Sequence, residues 1–529
     1  MAGPQAAQAH APAAAAIPWW GIVAVLLGTF ISTMNARFSS LGLADIRGAM
    51  HAGFDEGAWI TTAQTAAQMV VAPLAIYLST VRGARACLIE SAMAFGIVSF
   101  LEPFSPNLPT LLALQGVAGL ASGFFVPLTL GFILRNTPPR VWAYGVALYA
   151  LNLEVSLNVS ASIEGWYLDN LSWRMIFWQN VPLAFGMAAC LSYGVKPETM
   201  PTDRPRPDWY GIASGGLGLG LIFAALDQGN RLDWSASPVV WALMLAGVVF
   251  LTGFYFEETR SPHPAIRLQA VLVAPMPRIL ILMGFLRTTL LATSFVIPQF
   301  LQAVRGFRTL EVGQTLIWIA LPQLALCLLA GYSMRRMDPR FVASVGFVCI
   351  AIACLSVAHG LTPLWGSDQF LPSALLQAVG QSFALSGCVF FAILHLDPKD
   401  VLTFGAAMQT ARLLGGEIGQ AFITTFTRVR EQVASNLLGQ HVTSGDPAVL
   451  ARIAGYAHAT AAAGDQAGPA RGVALLANAV RAAATTQSII DTLIVVAAAT
   501  AVTVIIVVTR RAAPEGPASH IPLFPRREP

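Results

Sequence analysis

Apolar stretches of membrane-spanning length recur along almost the whole chain, and they limit its fold more than any other feature. The chain has 529 residues, of which 55% are hydrophobic and only 11% are charged, whereas soluble domains carry about 25% charged residues. A chain with so little charge needs lipid as its solvent. Because backbone groups inside a bilayer must pair internally, segments of roughly 20 apolar residues predict helices. We therefore predict an all-α integral membrane protein.

Fourteen such stretches are predicted to be transmembrane helices and are numbered spans 1 to 14. They cover residues 17–36, 57–80, 86–104, 109–134, 141–167, 174–195, 209–227, 237–257, 278–303, 311–333, 340–360, 370–396, 403–427 and 487–509. The segment 196–208 is rich in proline and predicts a stiff linker after span 6. The Ala/Pro-rich stretch 1–16 predicts a disordered tail.

The distribution of Lys and Arg predicts how the chain is oriented. An even number of spans places both termini on the same side of the membrane. The short loops on that side hold more than twice as many Lys and Arg residues as those on the other side. By the positive-inside rule, both termini are therefore cytoplasmic, including the tail 510–529, in a bacterial inner membrane. The long segment 428–486 is predicted to lie on the outer face and to mix helix with loop.

Several short motifs occur in an order and spacing that resemble the major facilitator superfamily. The nearest resemblance is to its 14-helix drug/proton antiporter family, the EmrB/QacA type. The motifs that carry it are Trp173-Arg174-Met175-Ile176-Phe177 with Asn180-Val181-Pro182, Asp208-Trp209-Tyr210-Gly211, Leu226-Asp227-Gln228-Gly229 with Asp233-Trp234, Ile297-Pro298-Gln299-Phe300-Leu301-Gln302 with Gly306, and Arg412 to Gly419.

The resemblance implies an architecture and a mode of action. It implies two pseudo-symmetric six-helix bundles, residues 17–195 and 278–509, with an inserted helix pair at 209–257. It implies a small-molecule substrate bound near the midplane between the bundles, and alternating access by rocking. Some relatives work with a periplasmic adaptor and an outer-membrane channel, so these are candidate partners, with 428–486 as a docking region. Nothing in the sequence indicates an enzyme, a cofactor, a metal site or a nucleic-acid partner.

The chain also departs from the family pattern at positions tied to proton coupling and gating. Asn35 stands where the family has an acid in span 1. Gln115 stands in place of an arginine in span 4. The antiporter motif at the end of span 5 is replaced by Ser160-Ala161-Ser162-Ile163-Glu164-Gly165. Any proton coupling must therefore depend on other titratable groups.

Four ionisable residues fall deep inside predicted spans, where a charge costs about 2.5–3.5 kcal/mol on insertion scales. Glu154 lies roughly 20 Å into span 5, and Glu417 lies at nearly the same depth in span 13. The resemblance makes these two helices counterparts, so a shared cavity is expected. Arg287 in span 9 and Arg412 in span 13 would pair with a carboxylate or with an anionic substrate. A buried pair that only locks two helices is the structural alternative.

Polar residues without charge extend this candidate site. Asn158 lies one turn after Glu154 on the same helix face. Gln377 and Gln381 are one turn apart on span 12; they would line the same path or bond neighbouring helices. Glu90 and Glu164 lie near span ends, where exposure to water is expected.

These features favour a secondary transporter. The first hypothesis is proton-coupled efflux of small hydrophobic or aromatic compounds. Because desolvation favours the neutral form of a carboxyl group, Glu154 and Glu417 would carry protons, whereas Asn35 cannot titrate. The alternative is an uptake or facilitated-diffusion carrier for a specific metabolite, because the span-1 acid and the antiporter motif are lost.

Overall fold

A computed structural model describes residues 18–138, 141–197, 207–261, 266, 268–272, 276–396, 401–443, 445–460 and 468–509. The predicted tails 1–16 and 510–529 lie outside the described residues, as does most of the linker 196–208. All the regular structure in the described part of the chain is helical, which confirms the predicted all-α class.

Twelve of the predicted spans are helices long and apolar enough to cross a bilayer. Predicted span 2 is a pair of helices bent by 45°, which makes a thirteenth crossing if the pair is one span. In chain order these spans are Trp19–Leu41, Phe54–Val70 with Ala72–Arg82, Ala84–Phe104, Leu108–Asn136, Trp142–Asn170, Met175–Gly194, Trp209–Gly229, Pro238–Arg260, Met276–Ala303, Thr309–Arg336, Pro339–Gly360, Asp368–Leu394 and, as span 14, Gly468–Val508.

Predicted span 13 lies within a helix of 40 residues, Val401–Gln440. This helix does not meet the same length-and-hydropathy standard as the others. Its middle carries Arg412 and Glu417, and it packs against helices of both bundles. A helix whose surface is covered mainly by protein tolerates polar residues that a lipid-facing helix would not.

In the predicted outer segment 428–486, the residues that the structure describes are mostly helical. Span 13 continues to Gln440, span 14 begins at Gly468, and a third helix, Pro447–Thr460, packs against span 14. Residues 428–440 thus continue the helix of span 13. Span 14 is predicted to start at 487, but its helix begins at Gly468. Alanine-rich sequence favours helix, so the helix extends beyond the predicted membrane boundary.

The helix contacts group spans 1–6 together and spans 9–14 together. Between the two groups, span 5 runs against span 10, and span 13 packs against span 4. Gly405 of span 13 lies against the Pro127 carbonyl of span 4, and Gly131 faces Leu402. These contacts close the bundle interface at its predicted inner end.

Span 2 bends at Val71, and glycines on two neighbouring helices pack beside the bend. Gly119 of span 4 approaches the carbonyl of Gln64, and Gly216 of span 7 approaches the carbonyl of Val70. Small residues allow helix backbones to approach this closely. Gly119 and Gly216 therefore lie at helix contacts, whereas Gly116 faces open space.

We expect Gly216→Leu to destabilise the protein. A side chain at this position would meet the Val70 carbonyl, so span 7 must move away from span 2; overpacking of this kind costs about 1–3 kcal/mol. The measurement is the thermal midpoint of the detergent-solubilised protein, followed by size-exclusion chromatography. Gly186→Leu is the matched control, because nothing lies within 4 Å of the position that its first side-chain carbon would take. Equal midpoints for the two variants would contradict this packing.

Candidate substrate and proton site

A cavity of about 170 Å³ lies between the two groups of helices. Side chains from spans 1, 2, 5, 7, 9 and 13 line it, so both bundles and the inserted helix pair contribute. The lining residues are Ser32, Thr33, Ala36, Arg37, Ser40, Thr61, Thr65, Gln68, Leu157, Phe223, Asp227, Arg287, Leu291, Ser294, Arg412, Leu413, Gly416, Glu417 and Gln420.

The structure brings three of the four predicted ionisable residues to this cavity. Arg287, Arg412 and Glu417 all line it. The ion pairs between described residues include none of the three. Arg412 donates from Nε to the Gln409 side-chain oxygen at 3.0 Å. These charges therefore face the cavity and are not locked to one another by direct ion pairs.

Glu154 lies behind the cavity wall. It is 1% exposed, and its Oε1 atom is buried without a hydrogen-bond partner. Arg287 and Arg412 are its principal electrostatic neighbours. The next turn of the helix, at Leu157, does reach the cavity. Glu154 is thus linked to the site by charge and not by direct lining.

Asn158 and Gln381 belong to a hydrogen-bonded network that joins the two bundles. The Asn158 amide donates to Gln381 Oε1 at 2.8 Å, and Gln323 donates to the same oxygen at 2.9 Å. Gln381 in turn donates to Thr293 Oγ1 at 2.8 Å. Neither Asn158 nor Gln381 lines the cavity, so the network connects spans 5, 9, 10 and 12 beside it.

Gln377 and Asn35 are placed away from this site. The Gln377 amide donates to Cys354 Sγ of span 11 at 3.7 Å, so it bonds a neighbouring helix and, unlike Arg287, does not line the cavity. Asn35 accepts a hydrogen bond from Asn180 of span 6 at 2.7 Å. Asn35 therefore links span 1 to span 6 by a hydrogen bond within one bundle. It occupies the position where the family pattern has an acid.

Two charged residues of the site are not predicted by the sequence. The predicted end of span 1 leaves Arg37 in an outer loop, but span 1 continues to Leu41 and carries Arg37 into the cavity lining. A sequence signal for this is the helical spacing of Thr33, Arg37 and Ser40, which places the three polar side chains on one face of a continuing helix. Asp227, at the end of predicted span 7, enters the sequence argument only as part of a motif. It accepts hydrogen bonds from Thr62 of span 2 and, at 3.2 Å, from Gln228.

The expectation for Glu164 is wrong, whereas that for Glu90 is confirmed. Glu90 is exposed and pairs with Arg82 at 2.7 Å. Glu164 is fully buried, and both of its carboxylate oxygens lack hydrogen-bond partners. Its helix extends to Asn170, and the end of span 1 covers it at Gly42. Arg37 is its principal electrostatic neighbour of opposite charge.

A second cavity of about 430 Å³ adjoins the first. The two share the lining residues Arg37, Ser40 and Ser294. The second is otherwise lined by the ends of spans 1 and 9, including Leu41, Phe295 and Pro298 at the predicted outer end. These two cavities therefore lie in the predicted outer half of the interface. Spans 5 and 10 also touch at that end, where Gly165 meets Leu310 and Gly313 meets Ser162.

Comparisons with known proteins agree with this architecture. The family model "Major Facilitator Superfamily" matches residues 25–420. Probable multidrug resistance protein EmrY of Escherichia coli K12 is 24% identical over 450 residues, covering 83% of this chain and 85% of that protein. Multidrug export protein EmrB of the same strain is 24% identical, covering 80% and 83%. Fatty acid resistance protein FarB of Neisseria gonorrhoeae is 23% identical, with the same coverage.

Two solved structures share the fold. The proton:xylose symporter XylE, bound to 6-bromo-6-deoxy-D-glucose, superposes with a TM-score of 0.54 at 13% identity, covering 79% of this chain and 90% of that one. The human organic anion transporter MFSD10 gives a TM-score of 0.53 at 13% identity, covering 77% and 92%. By its family match, its membrane-length helices and this fold, the chain belongs to the major facilitator superfamily and is a multi-pass membrane transporter.

Proposed function

We propose that the chain is a proton-coupled efflux carrier for small hydrophobic or aromatic compounds that works by alternating access. The relatives EmrB and EmrY are named for multidrug export and resistance, which supports the direction of transport. We further propose that the protein lies in a bacterial inner membrane with both termini in the cytoplasm. The charge distribution between loops supports this orientation.

One observation carries the proposal: a cavity between the bundles has a carboxyl group in its wall and a second one behind it. Glu417 lines the cavity and is 9% exposed, and Glu154 is buried within electrostatic reach of the same arginines. A carboxyl group that is reached from only one side at a time can take up a proton there and release it on the other side after the bundles rock. Asp227 of the inserted helix pair adds a third carboxyl group to the wall.

Everted membrane vesicles test the direction and the coupling. A strain lacking the gene is first screened for the hydrophobic compound to which it becomes most sensitive. We expect vesicles that contain the protein to accumulate this compound when the interior is made acidic, and to stop when a protonophore removes the gradient. Vesicles without the protein provide the blank.

The same vesicles separate efflux from the alternative carrier function. A facilitated-diffusion carrier equilibrates the compound at the same level with or without a gradient. An uptake symporter exports it from everted vesicles as the gradient dissipates. Either outcome would replace the efflux proposal.

A further inference from the structure

Three arginines from three helices line the connected cavities and have no direct carboxylate partner. They are Arg37 of span 1, Arg287 of span 9 and Arg412 of span 13. None forms an ion pair within 4.0 Å with a described residue. Because a guanidinium group is not deprotonated in proteins, the cavity holds three lasting positive charges.

Several donors of these guanidinium groups are buried without an acceptor. Nε and Nη2 of Arg37 and Nε of Arg287 are buried and make no hydrogen bond. The Nε donor of Arg412 is satisfied only by the neutral amide of Gln409. Buried charged donors normally bind an acceptor, since leaving them unpaired is costly. An anion bound between spans 9 and 13, where Arg287 and Arg412 face one cavity, would give the Nε donor of Arg287 its acceptor.

The nearby acidic groups balance these charges without contacting them. Asp227 accepts hydrogen bonds from Thr62 and Gln228. Glu417 lies on the same helix as Arg412 but forms no ion pair with it. Glu154 acts on Arg287 and Arg412 through its field, without an ion pair. Glu164 acts on Arg37 in the same way. The negative charge of these carboxyl groups lowers the free-energy cost of burying the arginines in the membrane. Because they make no ion pair with the arginines, the guanidinium donors remain available to a ligand.

The remaining lining is apolar enough to hold a hydrophobic body. Leu157, Phe223, Leu291 and Leu413 face the first cavity. Phe295 and neighbouring apolar residues face the second. Binding sites of this kind use a few polar groups to orient a mainly apolar ligand. A site with positive charge at one end and apolar surface at the other suits an amphipathic ligand.

We propose that the transported substrate is an amphipathic organic anion whose carboxylate is bound by Arg287 and Arg412. Arg37, at the junction of the two cavities, receives the anion on its way out. The planar guanidinium fork matches a carboxylate with two parallel hydrogen bonds. This inference rests on the proposed transport function and names its substrate class. Exchange of one anion outward for one proton inward moves two positive charges inward, so an inside-negative potential assists it.

Equilibrium binding to the purified full chain in detergent micelles tests the inference without any gradient. The probes are decanoate, dodecanoate and 2-naphthoate, each compared with its neutral primary carboxamide, with protein-free micelles as the blank. We expect at least one carboxylate to bind about tenfold or more tighter than its amide, the advantage of a charge-assisted bond. In Arg287→Gln and Arg412→Gln this preference should disappear.

Two further variants separate charge recognition from loss of structure. Arg287→Lys keeps the positive charge and should retain a preference for the carboxylate. Arg82→Gln removes an exposed arginine that pairs with Glu90 and should bind like the wild type. Equal binding of acids and amides, or no binding of any carboxylate, would overturn the inference. Carboxylate binding without gradient-driven transport would instead refute the proposed coupling and leave the inference standing.

Discussion

Glu417→Gln is expected to abolish gradient-driven transport while leaving folding and substrate binding intact. Glutamine keeps the size and hydrogen-bonding capacity of the side chain in the cavity wall but cannot take up a proton. Glu417 is 9% exposed and faces the cavity, so the loss falls on proton exchange and not on packing. The measurement is accumulation of the substrate in proteoliposomes under an imposed pH gradient, at matched protein content.

Glu154→Gln should have the same effect on gradient-driven accumulation, although this residue lies behind the cavity wall. For both variants, exchange of labelled for unlabelled substrate without a gradient should continue, because exchange needs no net proton movement. Glu90→Gln, which changes an exposed carboxylate, serves as the control and should transport normally. Normal gradient-driven transport by both Glu417→Gln and Glu154→Gln would show that neither residue carries the proton.

Gly405→Leu is expected to hold the protein open at its predicted inner end and so to stop alternating access. Gly405 of span 13 touches the Pro127 carbonyl of span 4, and a leucine side chain cannot fit there while the contact is closed. An overpacking cost of about 1–3 kcal/mol shifts the equilibrium between the two states by about 5- to 150-fold. Transport should fall accordingly.

Cysteine labelling reports this change directly. Leu402 is buried at the same contact, opposite Gly131. In a background without the six native cysteines, we expect Leu402→Cys to react slowly with maleimide, and several-fold faster when Gly405→Leu is added. Gly116→Leu is the control on span 4, because nothing lies within 4 Å of the position that its first side-chain carbon would take. Unchanged labelling in the Gly405→Leu background would mean that this contact does not gate the inner end.

Much of the fold was predictable because lipid imposes a simple length and polarity rule on each span. Twelve predicted spans appear as single helices of sufficient length and hydropathy. The bend of span 2 at Val71 was not predicted, although Pro73 lies at the start of the second helix and is a usable sequence signal. Proline has no backbone N–H for a helical hydrogen bond and clashes with a preceding carbonyl, so it bends a helix. The sequence predicts mixed helix and loop for 428–486, whereas the described residues of this segment are mostly helical. Alanine-rich sequence favours helix outside the membrane as well as inside it.

The candidate site was predicted less completely. The rarity of charge inside a span singled out Arg287, Arg412, Glu154 and Glu417 as candidates. In the structure the first two and Glu417 line one cavity, whereas Glu154 does not. The same rule missed Arg37 and Asp227, which lie near span ends where charges are ordinary in sequence. Helix length beyond the assumed membrane edge brought Arg37 inward.

The sequence alone determined that this is a membrane protein of many helices from a known superfamily, since composition and motif order are properties of the chain itself. It also determined that the usual acid of span 1 is an asparagine. Only the tertiary structure decided which polar residues meet. Some of these residues form hydrogen bonds between helices: Asn35 with Asn180, Gln377 with Cys354, and Asn158 with Gln381. Others line one cavity, namely Arg37, Asp227 and Glu417. The direction in which a helix side chain points depends on the rotation of that helix against its neighbours, and packing sets that rotation.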